Sequence, residues 1–199
     1  VYTVKQTHAF SVWLEGIEDG MTRRRLARRL EKAQSGNFGD VALVGEGVSE
    51  MREHFGSGWR RYYIQQGSVV IVMLGCGTKR TQKADITAAK KLAKSIEGSI
   101  MARKIKNSEL KTFDMAEHLD TDKAIAEYIA IVLEENDPAA LADALGTVAR
   151  ARGMADVAKS AGIAREALYK ALRPGSQPRF ETIQRVCVAL GVRLTVVPA

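Results

Sequence analysis

The chain changes character at Met101. Residues 1–100 mix helical and strand-like patterning and carry 16 Lys/Arg against 10 Asp/Glu. Residues 101–137 reverse the balance, with 5 against 9, and residues 138–199 return to 9 against 4 with helical periodicity almost throughout. Met101-Ala102-Arg103-Lys104-Ile105-Lys106 has the look of a fresh N-terminus inside the chain. Two basic blocks therefore flank an acidic stretch. Basic blocks favour polyanionic partners, and an acidic segment can cover a basic site. With 199 residues in all, each half is long enough for a small core of its own.

Several classes drop out on composition. A hydrophobic content of 46% with 27% charged residues is that of ordinary globular protein. The longest apolar run, Val69 to Leu74, is far short of a membrane span, and the first residues lack the apolar stretch of a signal peptide. The expectation is a cytoplasmic protein with no membrane partner. Cys76 and Cys187 are the only cysteines, one in each half and without CxxC or Cys/His spacing, so neither a metal nor a cofactor is expected. The expected organisation is a domain over 1–98, a connector over 99–109, an acidic segment over 110–137 and a helical domain over 138–199.

In the first half, Tyr2–Val4 suits a short strand, and Phe10, Trp13, Leu14 and Ile17 fall at helical spacing. Thr22 can cap a second helix running to about Gln34, with Leu26, Leu30 and Ala33 inward. The Arg23–Arg29 run on that helix reads as a solvated face, with RNA phosphate contact as the alternative. Four strands are expected at Val41–Val44, Val48–Glu53, Arg60–Ile64 and Val69–Leu74. Gly56-Ser57-Gly58 and Gln66-Gly67-Ser68 serve as turns. A last helix turns Ile86, Ala89, Ala93 and Ile96 to the sheet. The fold class is α+β: an antiparallel sheet with helices, followed by an all-α domain.

Four ordered motifs carry a resemblance. Gly36-Asn37-Phe38-Gly39-Asp40, Gly45 to Arg52, Gly58 to Tyr63 and Gly77 to Ile86 together resemble the HigB branch of the RelE/ParE toxins, the addiction module killer proteins, over residues 2–97. The resemblance implies a RelE/ParE-like antiparallel sheet and a ribosome-dependent, metal-independent mRNA endonuclease. ParE relatives of the same fold instead poison DNA gyrase. Carried over, Arg60 stabilises the phosphate, with Arg52 and Lys79 or Arg80 assisting. RNA cleavage through the ribose 2′-OH needs a proton acceptor, cations around the phosphate and a donor to the leaving oxygen. His54 is the nearest imidazole for the first task, and an exposed loop histidine is the plainer reading. Gln82 either positions substrate or caps the helix. The usual Tyr before the arginine is Trp59 here, and Trp59 and Tyr62 either pack or stack on a base.

In the second half, Phe113 is a candidate anchor in an irregular stretch. Asp120-Thr121 can start a helix whose apolar stripe is Ile125, Ile129, Val132 and Leu133. Asp137 as N-cap with Pro138 behind it starts the next helix, and Gly153 ends it. Ala158, Gly162, Ile163 and Leu168 have the spacing of a helix-turn-helix. A helix from Phe180 follows, and Val192–Val197 alternates like a short C-terminal strand. Residues 110–197 resemble the HigA-like addiction module antidote proteins through Tyr128, Asp137 to Leu141, Ala144 to Gly146, Ala149 to Met154, Arg165 to Leu172 and Ala189 to Gly191. That resemblance implies an antitoxin that represses its own operon through operator DNA. Arg165, Glu166, Tyr169 and Lys170 then face the DNA at the recognition helix, with Arg173, Ser176 and Gln177 beside them.

The reading that joins these parts is a toxin fused to its antitoxin. The acidic stretch covers Arg52, Arg60 and Lys79, within one chain or between two, and the antitoxin half forms a homodimer. The competing readings are a DNA-binding repressor with an inactive first half, and a gyrase poison.

Overall fold

The computed structural model describes residues 2–67, 70–101, 110–196 and 198. The chain divides into two compact units, one made of Val1–Glu18 and Leu26–Phe113, the other of Asp19–Arg25 and Asp114–Ala199.

The first unit is an α+β layer. Its strands are β1 (Thr3–Gln6), β2 (Val41–Gly45), β3 (Val48–Arg52), β4 (Trp59–Gln66), β5 (Val70–Thr78) and β6 (Lys111–Thr112). They form one sheet in the order β2-β3-β4-β5-β1-β6. All pairings are antiparallel except β1 with β5. The helices are α1 (His8–Glu15), α3 (Gln82–Met101) and residues 26–34 of α2 (Gly20–Gln34), whose first residues belong to the second unit. Strand alternation decides what each face receives. Val48, Tyr62, Ile64 and Leu74 meet Ala89, Ala93 and Ile96 of α3, with Ile86 packed beside them. Arg61 and Tyr63 take the opposite parity on β4, and the Arg61 guanidinium donates to the Leu26 carbonyl of α2 at 2.7 Å.

Several expectations need correction. Helix α2 begins at Gly20 rather than behind Thr22, because the Asp19 carboxylate accepts the Thr22 amide at 2.9 Å. Its arginines are not a solvated face. Arg24 and Arg28 are buried, Arg28 pairs with Glu31 at 2.8 Å, and Arg29 pairs with Glu53 at 3.2 Å. β5 does not stop at Leu74. The register against β4 shifts between Tyr62 and Tyr63, and beyond that irregularity Gly75, Cys76, Gly77 and Thr78 remain paired to the sheet. A Cβ at Gly77 would lie 1.9 Å from the Asp85 carboxylate, so a larger residue there would have to displace the Asp85 side chain. Of the turn expected at 66–68 and the strand start at Val69, residues 68 and 69 lie outside those described.

Of the connector expected over 99–109, the first three residues close α3 and residues 102–109 lie outside those described. The stretch after it is not wholly irregular. Lys111–Thr112 form β6, the antiparallel neighbour of β1, with Thr112 opposite Lys5 and Lys111 opposite Gln6.

In the second unit a 3-10 turn at Met115–His118 leads to α4 (Asp122–Glu134), α5 (Pro138–Arg152), α6 (Met154–Ala161), α7 (Arg165–Ala171) and α8 (Phe180–Ala189). Thr121 caps α4 and Asp137 caps α5 through the Ala139 and Ala140 amides. Ile125, Tyr128, Ile129 and Val132 are buried, whereas Leu133 is 41% exposed and leaves the expected stripe. Gly146 lets α5 approach the end of α7, since a Cβ there would stand 2.6 Å from the Leu172 carbonyl. Gly162 ends α6 in the left-handed region, with φ 63°. The strand expected over Val192–Val197 does not form among the described residues: Val192 to Val196 are irregular and Val197 lies outside those described. Val192 is buried, but Val196 is fully exposed, so alternation alone found no strand edge to join.

Candidate functional site

β3 and β4 place Arg52 directly opposite Arg60. Both share the parity of Tyr62 and Val48, which faces α3, and both reach the carboxylate of Glu50. Arg52 Nε donates to Glu50 Oε2 at 2.7 Å, and Arg60 Nε lies 3.4 Å from Oε1. Gln82, the first residue of α3, donates from Nε2 to Oε1 at 2.8 Å, and the Tyr62 hydroxyl donates to the same oxygen at 3.2 Å. The Glu50 side chain is wholly buried, while Arg52 and Arg60 are 34% and 13% exposed. A desolvated carboxylate is tolerated because several donors replace its water. One negative charge thus holds two cations in register and leaves a net positive patch.

The electrostatic shifts agree with this arrangement. The hydrogen bond to Glu50 raises the Arg52 guanidinium above its ordinary value. Burial first, and then the Glu50 charge, push the Tyr62 phenol well up, so it stays protonated and donates. Tyr62 therefore packs and positions rather than stacking on a base. Trp59 also packs, edge-on to Trp13 with ring centroids 5.7 Å apart.

The expected residues divide accordingly. Arg52, Arg60 and Gln82 come together around Glu50. The Lys79 amide donates to the Gly58 carbonyl at 3.1 Å, and Arg60 Nη1 donates to that same oxygen at 3.3 Å. The turn carrying Lys79 and Arg80 is tied to Arg60 in this way, with both side chains exposed. His54 turns instead to Asp40, at 2.8 Å, and is 79% exposed. Glu50 itself was not among the sequence candidates. The signal was an acid on a strand, followed by apolar Met51, two residues after apolar Val48 and two before an arginine. Two carboxylates of the acidic stretch expected to cover these cations have other partners. Glu127 pairs with Arg24 at 2.7 Å and Glu134 with Arg25 at 2.7 Å.

The second candidate surface is on α7. Arg165, Glu166, Tyr169, Lys170, Arg173 and Gln177 are exposed, while Leu168 and Leu172 are buried beneath them. Arg165 lies over the Tyr169 ring, 5.6 Å from its centroid, and a hydrogen bond to Tyr169 raises its guanidinium. Ser176 is half-buried and donates its hydroxyl to the Ala171 carbonyl, closing the turn after α7. Arg185 on α8, not singled out from the sequence, donates to the carbonyls of Ala161 and Gly162 and fixes the end of α6.

Residues 109–198 match the family described as "Probable addiction module antidote protein". Through those residues, the chain belongs to that antidote family. Two proteins of Haemophilus influenzae, both described as uncharacterized, are similar to parts of the chain. One is 43% identical over 88 residues, covering 44% of this chain and 91% of the relative. The other is 36% identical over 93 residues, covering 47% and 94%. No solved structure matches the chain. The antidote-family segment includes β6 and every element from α4 to α8; the Glu50 cluster lies upstream of it. An antidote implies a toxin that it restrains. Among the described residues, no group of His, Cys, Asp or Glu could hold a metal, and no helix is long and apolar enough to cross a membrane.

Proposed function

We propose that the chain is a toxin–antitoxin module of the HigBA kind in one polypeptide. Residues 1–98 are the RelE/ParE-like toxin, and residues 138–199 hold the helix-turn-helix of the antitoxin. The observation that carries this reading is the cross-strand pair Arg52 and Arg60 on a buried Glu50, in a chain whose remainder is antidote family. Such a pair suits a phosphate that gains charge during transfer to the ribose 2′-OH. Arg60 and Arg52 stabilise the phosphate, Lys79 and Arg80 hold the flanking RNA backbone, and Gln82 fixes the approach. His54, oriented by Asp40, takes the 2′-OH proton. The reaction takes place on ribosome-bound mRNA in the cytoplasm, and the antidote segment keeps it off.

The exposed face of α7 supports a second role for the same chain, autorepression at operator DNA as a homodimer. Arg165 and Lys170 contact bases and phosphates, helped by Glu166, Tyr169, Arg173, Ser176 and Gln177.

The test is growth on induction of residues 1–101, with and without residues 102–199 supplied separately. Growth arrest relieved by the second fragment, together with new mRNA 5′ ends on ribosomes, is the expected result. Arg60→Ala should abolish both. Arrest without mRNA cleavage but with loss of supercoiling would replace the nuclease with a gyrase poison. A harmless 1–101 would leave only the repressor.

A further inference from the structure

β1 has β5 on one side, and its other edge is free to take a strand. The occupant in this structure is Leu110–Phe113, the first described residues of the antidote-family segment. Four features make this a built site. The Phe113 amide donates to the Val4 carbonyl at 2.9 Å, so the ladder runs one residue beyond β6. Gln34, the last residue of α2, donates from Nε2 to the Phe113 carbonyl at 3.1 Å. Lys5 Nζ donates to the Thr112 hydroxyl at 2.6 Å. The segment also carries an apolar side chain at each end: Leu110 packs against the core cluster under α3, and Phe113 is 1% exposed. Lys111 and Thr112 between them are exposed, so the backbone ladder, the two apolar end residues and the Lys5–Thr112 hydrogen bond carry recognition.

We infer that the β1 edge is a peptide-binding site for an extended segment with apolar residues at its first and fourth positions, and that Leu110–Phe113 is the strand by which the antidote holds the toxin sheet. This rests on the toxin–antitoxin reading. It replaces charge coverage of the arginines with strand addition as the primary attachment. Backbone ladders and buried apolar groups are screened little by salt, whereas exposed ion pairs are screened strongly.

The probe is a fluorescent peptide of residues 110–116, added to the full chain carrying Phe113→Ala, which loosens the resident strand. It should bind this variant about tenfold more tightly than the wild-type chain, and replacing the Phe in the peptide should cost about tenfold. Affinity should change by less than about twofold between low and high salt. Hydrogen exchange on the same samples should show β1 amides exchanging faster in the variant and regaining protection with peptide, while α5 and α8 stay protected. Gln34→Ala, which leaves Phe113 in place, should move β1 exchange in the same direction by a smaller amount. Absent peptide binding, with β1 exchange as in wild type, would overturn the inference; so would affinity that collapses with salt. None of these readouts needs toxin activity. Growth arrest on inducing full-length Phe113→Ala reads that separately, and binding without arrest counts against the toxin while the docking site stands.

Discussion

Arg52 and Arg60 are cross-strand partners whose guanidiniums close on one carboxylate, that of Glu50. That carboxylate has no exposed surface and accepts from Arg52, Gln82 and Tyr62. Two like charges face each other on adjacent strands only because a third group of opposite sign sits between them.

Glu50→Gln should therefore cost more than its near-identical shape implies. Losing one member of a buried charged cluster typically removes about 3–5 kcal/mol, and a urea melt of the full chain should show a loss of that order. Arg60→Ala leaves Glu50 with its other donors and should cost less stability. If the first half cleaves ribosome-bound mRNA as proposed, Arg60→Ala should lower that rate by about a hundredfold. Equal stability losses in the two variants would mean that Glu50 is not the hub.

Gly146 and Gly175 separate two reasons for glycine. At Gly146 an added Cβ meets the Leu172 backbone at 2.6 Å, so Gly146→Ala should lose about 1–3 kcal/mol by overpacking. At Gly175 nothing lies within 4 Å, but φ is 76°. Gly175→Ala should lose only the conformational cost, about 1 kcal/mol. Thermal melts of the two variants check the order.

Arg24 and Glu127 form an ion pair at 2.7 Å with side chains 6% and 15% exposed, whereas Arg25 and Glu134 are 33% and 55% exposed. A double-mutant cycle on the first pair should return a coupling of about 1–3 kcal/mol. The second pair should return less than about 1 kcal/mol.

Hydrogen bonds from the Thr22 side chain and then its amide hold the Asp19 carboxyl below its ordinary value. A carboxyl depressed by folding contributes stability that is full above its unfolded pKa and is lost as pH falls through the folded one. Wild type should therefore lose stability to Asp19→Asn comparison on descending into the acid range, the gap between them being widest at neutral pH. A gap independent of pH would remove the cap from the account.

Burial pushes the Cys187 thiol up to about 11 and the Cys76 thiol further. At mildly alkaline pH the native chain should alkylate roughly a hundredfold more slowly than a free cysteine, and full rates should return in urea. Rapid native labelling at either position would show that its burial is transient.

The helical elements were largely legible because their signals are local. Asp137 with Pro138 starts α5, and Gly153 ends it, from capping chemistry that a few neighbouring residues determine. Helix α3 likewise presents Ala89, Ala93 and Ile96 at the spacing that marks its buried face. What stayed hidden depends on partners distant in sequence. Gly75 and Gly77 resemble a loop, yet their strand continues because β4 lies alongside. Lys111 and Thr112 are polar and exposed, and only the β1 edge makes them a strand. Val192–Val196 alternates as a strand should, and no edge receives it. Arg52 and Arg60 were legible as cations in a motif, but Glu50 gains its meaning from the register that brings both to it.

β6 also bears on what a break in the chain would do. Residues 102–109 separate the end of α3 from Leu110, so a cut there in the folded chain assigns five strands to one polypeptide and the sixth to the other. The products would not begin as strangers that must find each other. They would begin as a two-chain sheet, and separating them would require peeling a strand from an edge. The lifetime of that joint, rather than the covalent linkage, would decide how long the two parts stay together.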